Sequence, residues 1–241
     1  MKNYILLLIF LFYVTSVVAQ DKGCASFSRG IVIPVGKFAS SDLAKNNGGA
    51  AKIGSNIDFS FNYGLPDKIG FAAVMRYQSN RCDSKGLSKS FETELGDNSV
   101  NVGSWNIVVM MIGIRKTLKI KQNIEADAKF TFGMSQCYAP EIRIFDYTTY
   151  GGTSYSRSMS SAPSWASLFS IGIKYTIISN VFVLAKLDMM GTMPNFKDID
   201  LHHSEWYSPL NERYYQLILT TSANFGFGLK MDTSYRFNGF S

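Results

Sequence analysis

A strict two-residue alternation runs through residues 216–237. The even positions are mostly polar or small, and the odd positions are mostly large and apolar. The odd set is Leu217, Leu219, Thr221, Ala223, Phe225, Phe227, Leu229, Met231, Thr233, Tyr235 and Phe237. A period of two predicts a β-strand with one apolar face. Because a strand that crosses a bilayer needs about 9–11 residues, this stretch is typical of a transmembrane strand.

Seven earlier segments alternate in the same way. They predict strands at 25–36, 53–65, 69–80, 105–118, 124–135, 165–177 and 181–189. The fourth is irregular, because Trp105–Met111 is apolar on both faces. Arg29 interrupts the apolar face of the first, which a β-bulge or a side chain reaching toward the membrane edge would accommodate. The total of eight is even, as in bacterial single-chain barrels.

The connections between these segments alternate in length. Those near Pro66, Ile120 and Asn180 are short. Long polar connections occupy 38–52, 81–103, 139–164 and 191–214. Outer-membrane barrels have short periplasmic turns and long extracellular loops. The sequence therefore predicts an all-β fold, an eight-stranded antiparallel up-and-down transmembrane β-barrel with both termini on the periplasmic side.

Alternation alone does not say which face points outward, and a soluble barrel of the lipocalin type would hold its apolar face inside. We expect lipid outside, because the polar face carries many small residues and the apolar face carries almost no charge. Phe130, Ile171 and Phe225 should then face outward. Aromatic residues near the strand ends fit an interfacial girdle. They are Tyr63, Tyr77, Trp165, Tyr175, Tyr214 and Tyr215.

The inward face carries nearly balanced charges. The predicted set is Asp58, Arg76, Arg115, Glu125, Asp127, Lys129, Lys174, Lys186, Asp188, Lys230 and Asp232. An eight-stranded barrel is just wide enough for its own side chains to fill. Since an unpaired buried charge is expensive, these groups should pair and close the lumen. The alternative is loose pairing at wet ends of the barrel.

The first residues are typical of a secretory signal peptide. Lys2 precedes an apolar run at Tyr4–Phe12, and Ala19 is a small residue at a cleavage edge. We predict a signal peptide at 1–19 and a barrel domain at 20–241. A single membrane anchor is the alternative, although the run is short for the roughly 20 residues that a helical span needs.

Charge and cysteine content exclude some classes of protein. The net charge is +6, but the basic residues are spread along the chain, so nothing indicates nucleic-acid binding. Three cysteines are too few for a disulfide scaffold. Cys82 and Cys137 fall near one predicted rim and could pair, whereas Cys24 lies at the other end and is expected to be free.

Several features together resemble a known family. They are the run Ile33–Ala39, the run Gly48–Ala51, the strand spacing and the Ala19-Gln20 junction. The chain resembles small outer-membrane β-barrel proteins of the OmpA/OmpX-like superfamily, and most of all the outer membrane protein beta-barrel domain and PorT-like sequences of Bacteroidetes. The resemblance implies a place among outer-membrane lipids and insertion by the outer-membrane assembly machinery. In such families that machinery reads an aromatic-rich last strand.

One polar cluster in the last long connection could carry chemistry. It consists of Asp198, Asp200, His202, His203, Ser204 and Glu205. Histidine, serine and glutamate can form a nucleophile, a base and an orienting group, and histidine with aspartate can bind a divalent metal. His202-x-Ser204 is also similar to a motif of outer-membrane lipid A deacylases, but there it lies on a lipid-facing strand. We expect a solvated loop with no catalytic, metal or cofactor role.

Three functions therefore remain open. The favoured one is a non-enzymatic barrel that acts in envelope structure or binds a protein or glycan through its loops. Aromatic residues in those loops suit partner binding or a cap over the barrel. They are Phe145, Tyr147, Tyr150, Tyr155, Trp206 and Tyr207. The alternatives are a narrow channel for small solutes or ions and a lipid-modifying enzyme.

Overall fold

The computed structural model describes residues 23–41, 48–65, 69–95, 98–146, 154–199, 201–203 and 212–231, without the side chains of 90–99, 144–157 and 197–214. The predicted signal peptide lies outside these residues. The strands are β1 (Gly23–Val35), β2 (Ala51–Gly64), β3 (Ile69–Cys82), β4 (Asn98–Val102), β5 (Ser104–Lys121), β6 (Ile124–Ala139), β7 (Ile142–Asp146), β8 (Ser154–Arg157), β9 (Ser160–Ile178), β10 (Val181–Thr192), β11 (Asn195–Ile199), β12 (Leu201–His203), β13 (Glu212–Tyr215) and β14 (Ile218–Met231). A helix, α1, spans Ser84–Leu95, and a short 3-10 turn spans Gly36–Ala39.

Eight of these strands close into an antiparallel barrel. Their order around the ring is β1, β14, β10, β9, β6, β5, β3, β2, and β2 pairs with β1 again. The predicted fold class is therefore confirmed. We call the end with the connections β2–β3, β5–β6 and β9–β10 the turn end, and the opposite end the loop end. The first and last barrel strands meet with Gly23 opposite Met231, at the turn end.

The outer surface of the barrel is apolar. Phe130, Ile171 and Phe225 are 50%, 46% and 70% exposed, as expected for side chains that point away from the bore. Exposed large apolar side chains occur on every barrel strand, which far exceeds the patches tolerated on soluble monomers. The exterior therefore faces lipid, and the soluble alternative is excluded.

The main differences from the predicted strands lie at the loop end. β6 and β9 continue to the pair Ala139–Ser160, which shortens the long connection expected there. The final strand of the barrel begins at Ile218 rather than residue 216, because Glu212–Tyr215 forms a separate strand. Residues 232–237 of the predicted last strand lie outside the described part of the chain.

Arg29 lies on the outer face in the middle of β1. It is opposite Phe225 on one side and Ile57 on the other, and neither ladder shifts register along β1. The β-bulge that we considered is therefore wrong. A basic side chain at the bilayer midplane costs about 2–4 kcal/mol, and a long flexible side chain lowers this cost by extending toward the polar interface.

The long connections fold into structure beyond the barrel. β12, β8, β7 and β4 form a four-stranded sheet in that order, and β11 pairs with β13. Leu87 of α1 packs with Ala50 and Ile142 in a small apolar cluster. Among the described residues, no helix is both long and apolar enough to cross a bilayer.

A charge placed in the centre of the apolar belt should be costly. On the outer face of β5, Ile112 is 74% exposed and lies between Asn106 and Lys116, the nearest polar side chains in either direction. We expect Ile112→Arg to lower the free energy of unfolding by about 2–4 kcal/mol, measured by urea titration in phospholipid vesicles. The control is Ile120→Arg, on the same face but beyond Lys116, which should cost at most about 1 kcal/mol. An equal loss of unfolding free energy in the two variants would contradict the placement of Ile112 at the centre of the apolar belt.

Candidate functional site

Two layers of side chains fill the bore. The central quartet consists of Asp58, Arg76, Lys186 and Asp188, and each of these side chains is buried. The apolar plug, nearer the loop end, consists of Phe38, Trp105, Ile107, Val109, Met111, Leu168, Met190, Phe196 and Ile218. A mouth remains at the turn end, and its walls carry further charged groups.

The central quartet joins opposite walls of the barrel. Asp58 and Arg76 are direct cross-strand partners on β2 and β3. Arg76 donates to both carboxylate oxygens of Asp58, from Nε at 2.6 Å and from Nη2 at 2.7 Å. Its Nη2 also donates to Asp188 on β10, four strands away around the ring in either direction. Arg76 therefore spans the lumen.

Lys186 completes the quartet from the same wall as Asp188. Its Nζ donates to Asp58 Oδ2 at 2.6 Å and lies 3.3 Å from Asp188 Oδ2. Asn224 on β14 donates a further hydrogen bond to Asp188, at 2.8 Å. Two cations thus face two carboxylates, so the quartet is neutral. Charge-assisted and bidentate hydrogen bonds of this kind are the strongest that proteins form.

A second group of charges, the lower triad, lies nearer the turn end. It consists of Asp127 on β6, Arg115 on β5 and Lys174 on β9, and both cations form ion pairs with Asp127. The Arg115 Nε–Asp127 Oδ1 distance is 3.1 Å, and Thr117 donates to the same oxygen at 2.8 Å. With two cations and one carboxylate, the lower triad carries an excess positive charge.

The turn-end mouth opens below the lower triad. This cavity of about 250 Å³ is lined in part by Cys24, Arg115 and Lys174. Lys230 and Glu125 form an ion pair in its wall, with 2.9 Å between Nζ and Oε1. The free Cys24 thiol lies 3.5 Å from Arg115 Nη1 and 4.0 Å from Lys174 Nζ. The mouth is therefore a basic recess that ends inside the barrel.

Ten of the eleven predicted lumen residues lie in the bore or its mouth, and Asp232 lies outside the described residues. Nine of these ten make the ion pairs given above. Lys129 is buried, but it makes no ion pair with any residue that the structure describes. Of the predicted set, Lys129 is thus the one described member for which the structure gives no ion pair.

Sequence reasoning missed the apolar plug. The Trp105 ring packs edge-on against Phe38, with centroids 5.4 Å apart, and lies 5.9 Å from the ring of Phe196. Its Nε1 donates to the carbonyl oxygen of Gly49 at 2.8 Å. The signal was present in Trp105–Met111, which is apolar on both faces because one face meets lipid and the other meets the plug.

The structure does not pair Cys82 with Cys137. Neither cysteine forms a disulfide, and both are buried. Cys82 is on β3 and Cys137 on β6, and β5 separates these strands in the ring. Two strand spacings come to about 10 Å, which exceeds the Cα separation that a disulfide can bridge. The pairing that the sequence left open is therefore wrong in this structure.

The polar cluster of the last connection is only partly described. The backbone places Asp198 in β11, and His202 and His203 in β12. These strands belong to different sheets. Asp200, Ser204 and Glu205 lie outside the described residues. In the described part of the chain, histidine, cysteine and carboxylate side chains form no group of three suited to a metal ion.

Comparisons with known proteins add little beyond the fold. No family model matches the chain, and no curated protein matches it. Among solved structures, the chain is similar to a major outer membrane protein from Thermus thermophilus, with a TM-score of 0.48 and 10% identity over 86% of this chain and 99% of that one. It is also similar to OprG from Pseudomonas aeruginosa, with a TM-score of 0.46 and 13% identity over 89% and 99% of the two chains. The chain is similar as well to Ail from Yersinia pestis, with a TM-score of 0.41 and 9% identity over 87% of this chain and 99% of that one.

The chain is an eight-stranded transmembrane β-barrel with a filled bore. This statement rests on the closed ring of strands, the apolar exterior and the buried side chains within. At such low identities the solved structures carry no argument about activity.

Removal of one carboxylate from the central quartet should destabilise the barrel. Asp58→Asn leaves Arg76 and Lys186 with a single shared carboxylate, and breaking a buried pair costs about 3–5 kcal/mol. Urea unfolding of the inserted protein measures the loss. Asp83→Asn is the matched control, because its partner Lys52 is half-exposed and surface pairs contribute at most about 1 kcal/mol. A loss at Asp58 no larger than at Asp83 would refute the structural role of the quartet.

Proposed function

We propose that this chain is a bacterial outer-membrane β-barrel without enzymatic activity, which acts in envelope structure or binds a partner through its loop end. The observation that carries the proposal is the double closure of the bore. Arg76 crosses the lumen to Asp188, and the plug around Trp105 fills the space above. A bore closed in this way leaves the outer surface and the loop end for function.

The same proposal includes the bacterial outer membrane as the location and a defined orientation of the barrel in it. The turn end faces the periplasm and the long connections face the exterior, as in other outer-membrane barrels. The chain is then inserted by the outer-membrane assembly machinery among outer-membrane lipids. The finer kinship with OmpA/OmpX-like and PorT-like proteins of Bacteroidetes belongs to this proposal and rests on the sequence resemblance.

The loop end supports the binding function. The long connections form a four-stranded sheet, a strand pair and a helix, so they present folded surfaces at the loop end. Ordered surfaces bind at a lower entropic cost than flexible loops. The expected partner is an extracellular or envelope protein or a glycan. The proposal includes no cofactor, no metal and no nucleic acid.

A closed bore should not conduct. We expect the purified protein in planar lipid bilayers to show no steady current, which distinguishes it from a narrow channel for small solutes or ions. Because two layers close the bore, the double variant Arg76→Ala/Trp105→Ala, which removes the crossing side chain and the largest plug side chain, should permit intermittent current. Trp165→Ala, on the outer face, should stay silent. A steady conductance of the unaltered protein would overturn the closed-bore proposal.

The binding function can be tested without disturbing the barrel. Ala139 and Ser160 are cross-strand partners, so an Asn-Gly turn can replace residues 140–159 and shorten the β6–β9 hairpin. Affinity capture from the native outer membrane, followed by mass spectrometry, should recover a partner with the full chain and lose it with the shortened one. Urea unfolding confirms that the shortened barrel still folds. Equal recovery by both chains would place binding outside this connection.

A further inference from the structure

The charges buried in the bore do not balance. Asp58 and Asp188 each contact Arg76 and Lys186. Asp127 contacts Arg115 and Lys174. Lys129 is the fifth buried cation against three buried carboxylates, and these carboxylates are already shared by the other four. In the described bore, the excess of two positive charges therefore lies at Lys129 and the lower triad.

The two ladder neighbours of Lys129 cannot neutralise it, and the carboxylates within electrostatic range, Asp127 and Asp188, form ion pairs with other cations. In the ladders on either side, it is opposite Arg115 on β5 and Ser170 on β9. Lys129 is 7% exposed and Ser170 is 1% exposed, and the Ser170 hydroxyl has no hydrogen-bond partner in the described structure. An ammonium group offers three donors and no acceptor, and a hydroxyl can donate as well. These two groups therefore call for an acceptor that carries negative charge.

A small cavity lies beside these two groups. Its volume is about 10 Å³, and its lining includes Ser26, Lys129, Ser170, Lys174 and Lys186. This volume is about the space that one water molecule requires. Three lysines and two hydroxyl groups line it, and Asp127 in the same wall is held by Arg115 and Lys174. The charge of the lining suits one monatomic anion. Chloride is somewhat larger than water and fits when the flexible lysine side chains of the lining move slightly apart, whereas phosphate or sulfate would be too large.

We propose that the bore contains a halide site, occupied by chloride, between Lys129 Nζ and Ser170 Oγ. A water molecule could satisfy the hydrogen bonds but not the charge, and an uncompensated buried ion carries a large energetic cost. Chloride removes one of the two excess charges. The site does not depend on the proposed binding function, because it lies in the wall of the bore and not at the loop end.

The anion enters from the turn end. Lys174 lines both the small cavity and the 250 Å³ mouth, so the site lies next to the basic mouth and only this flexible side chain needs to move to admit the anion. The central quartet and the apolar plug block the opposite direction. The site is therefore a dead-end binding position and not a step in a conduction path.

Thermal unfolding in sodium chloride and in sodium gluconate, at equal ionic strength, tests the proposal in nonionic detergent. A ligand that binds only the folded state raises its unfolding midpoint with concentration. We expect the midpoint of the unaltered protein to rise with chloride, and that of Lys129→Met not to respond. Lys119→Met, at the exposed turn end of β5, should keep the response. A midpoint independent of chloride in the unaltered protein would overturn the site, as would a full response in Lys129→Met.

Two further measurements keep the test decisive if Lys129→Met fails to fold. Ser170→Ala removes one donor worth about 1 kcal/mol. An equal rise in the unfolding midpoint should therefore require roughly fivefold more chloride in this variant than in the unaltered protein. Crystals of the unaltered protein grown in bromide should show an anomalous peak within hydrogen-bond distance of Lys129 Nζ. A site without that peak holds water beside a neutral lysine, and the proposal is then wrong.

Discussion

Arg76 holds the barrel together across its bore. Backbone ladders tie each strand to its neighbours and set the mean diameter of the barrel, but they leave its cross-section free to flatten. Arg76 supplies a link between opposite walls, because it binds Asp58 beside it and Asp188 on the far wall. Its planar guanidinium can make both contacts at once, which the single ammonium of a lysine could not reproduce with the same geometry. The position of β3 relative to β10 therefore depends on Arg76 together with Lys186, which reaches Asp58 from the far wall.

The two layers of the bore solve one packing problem by different means. A narrow lumen must be filled, and inward residues near the turn end are polar because that mouth is open to water. Near the loop end the space is filled by apolar side chains, among them Phe38 and Phe196 from the connections, which pack against Trp105. Trp105 lies on the loop-end side of this plug, and its Nε1 donates to the carbonyl oxygen of Gly49. The composition of the bore thus follows the access of water.

Much of this arrangement could be read from the sequence, because a period of two separates the faces of each strand. The pair Asp58–Arg76 also follows from a tight β2–β3 connection, since antiparallel register counts outward from the turn. The contact between Arg76 and Asp188 could not be derived, because it depends on how the closed ring staggers its strands. The plug was missed because a run that is apolar on both faces hides the alternation. The extra sheets at the loop end lack a repeat long enough to predict.

Arg29 and Lys129 show why the position of a cation decides how its charge is balanced. Both lie near the middle of the barrel wall and point in opposite directions. Arg29 is on the outside, where a long side chain can move along the fluid lipid toward a polar interface. Lys129 is buried inside the bore with Arg115 and Ser170 as ladder neighbours, so its ammonium group stays within the bore. Its charge must therefore be compensated inside the bore. The bound anion that we propose stabilises Lys129, whereas movement toward the polar interface stabilises Arg29.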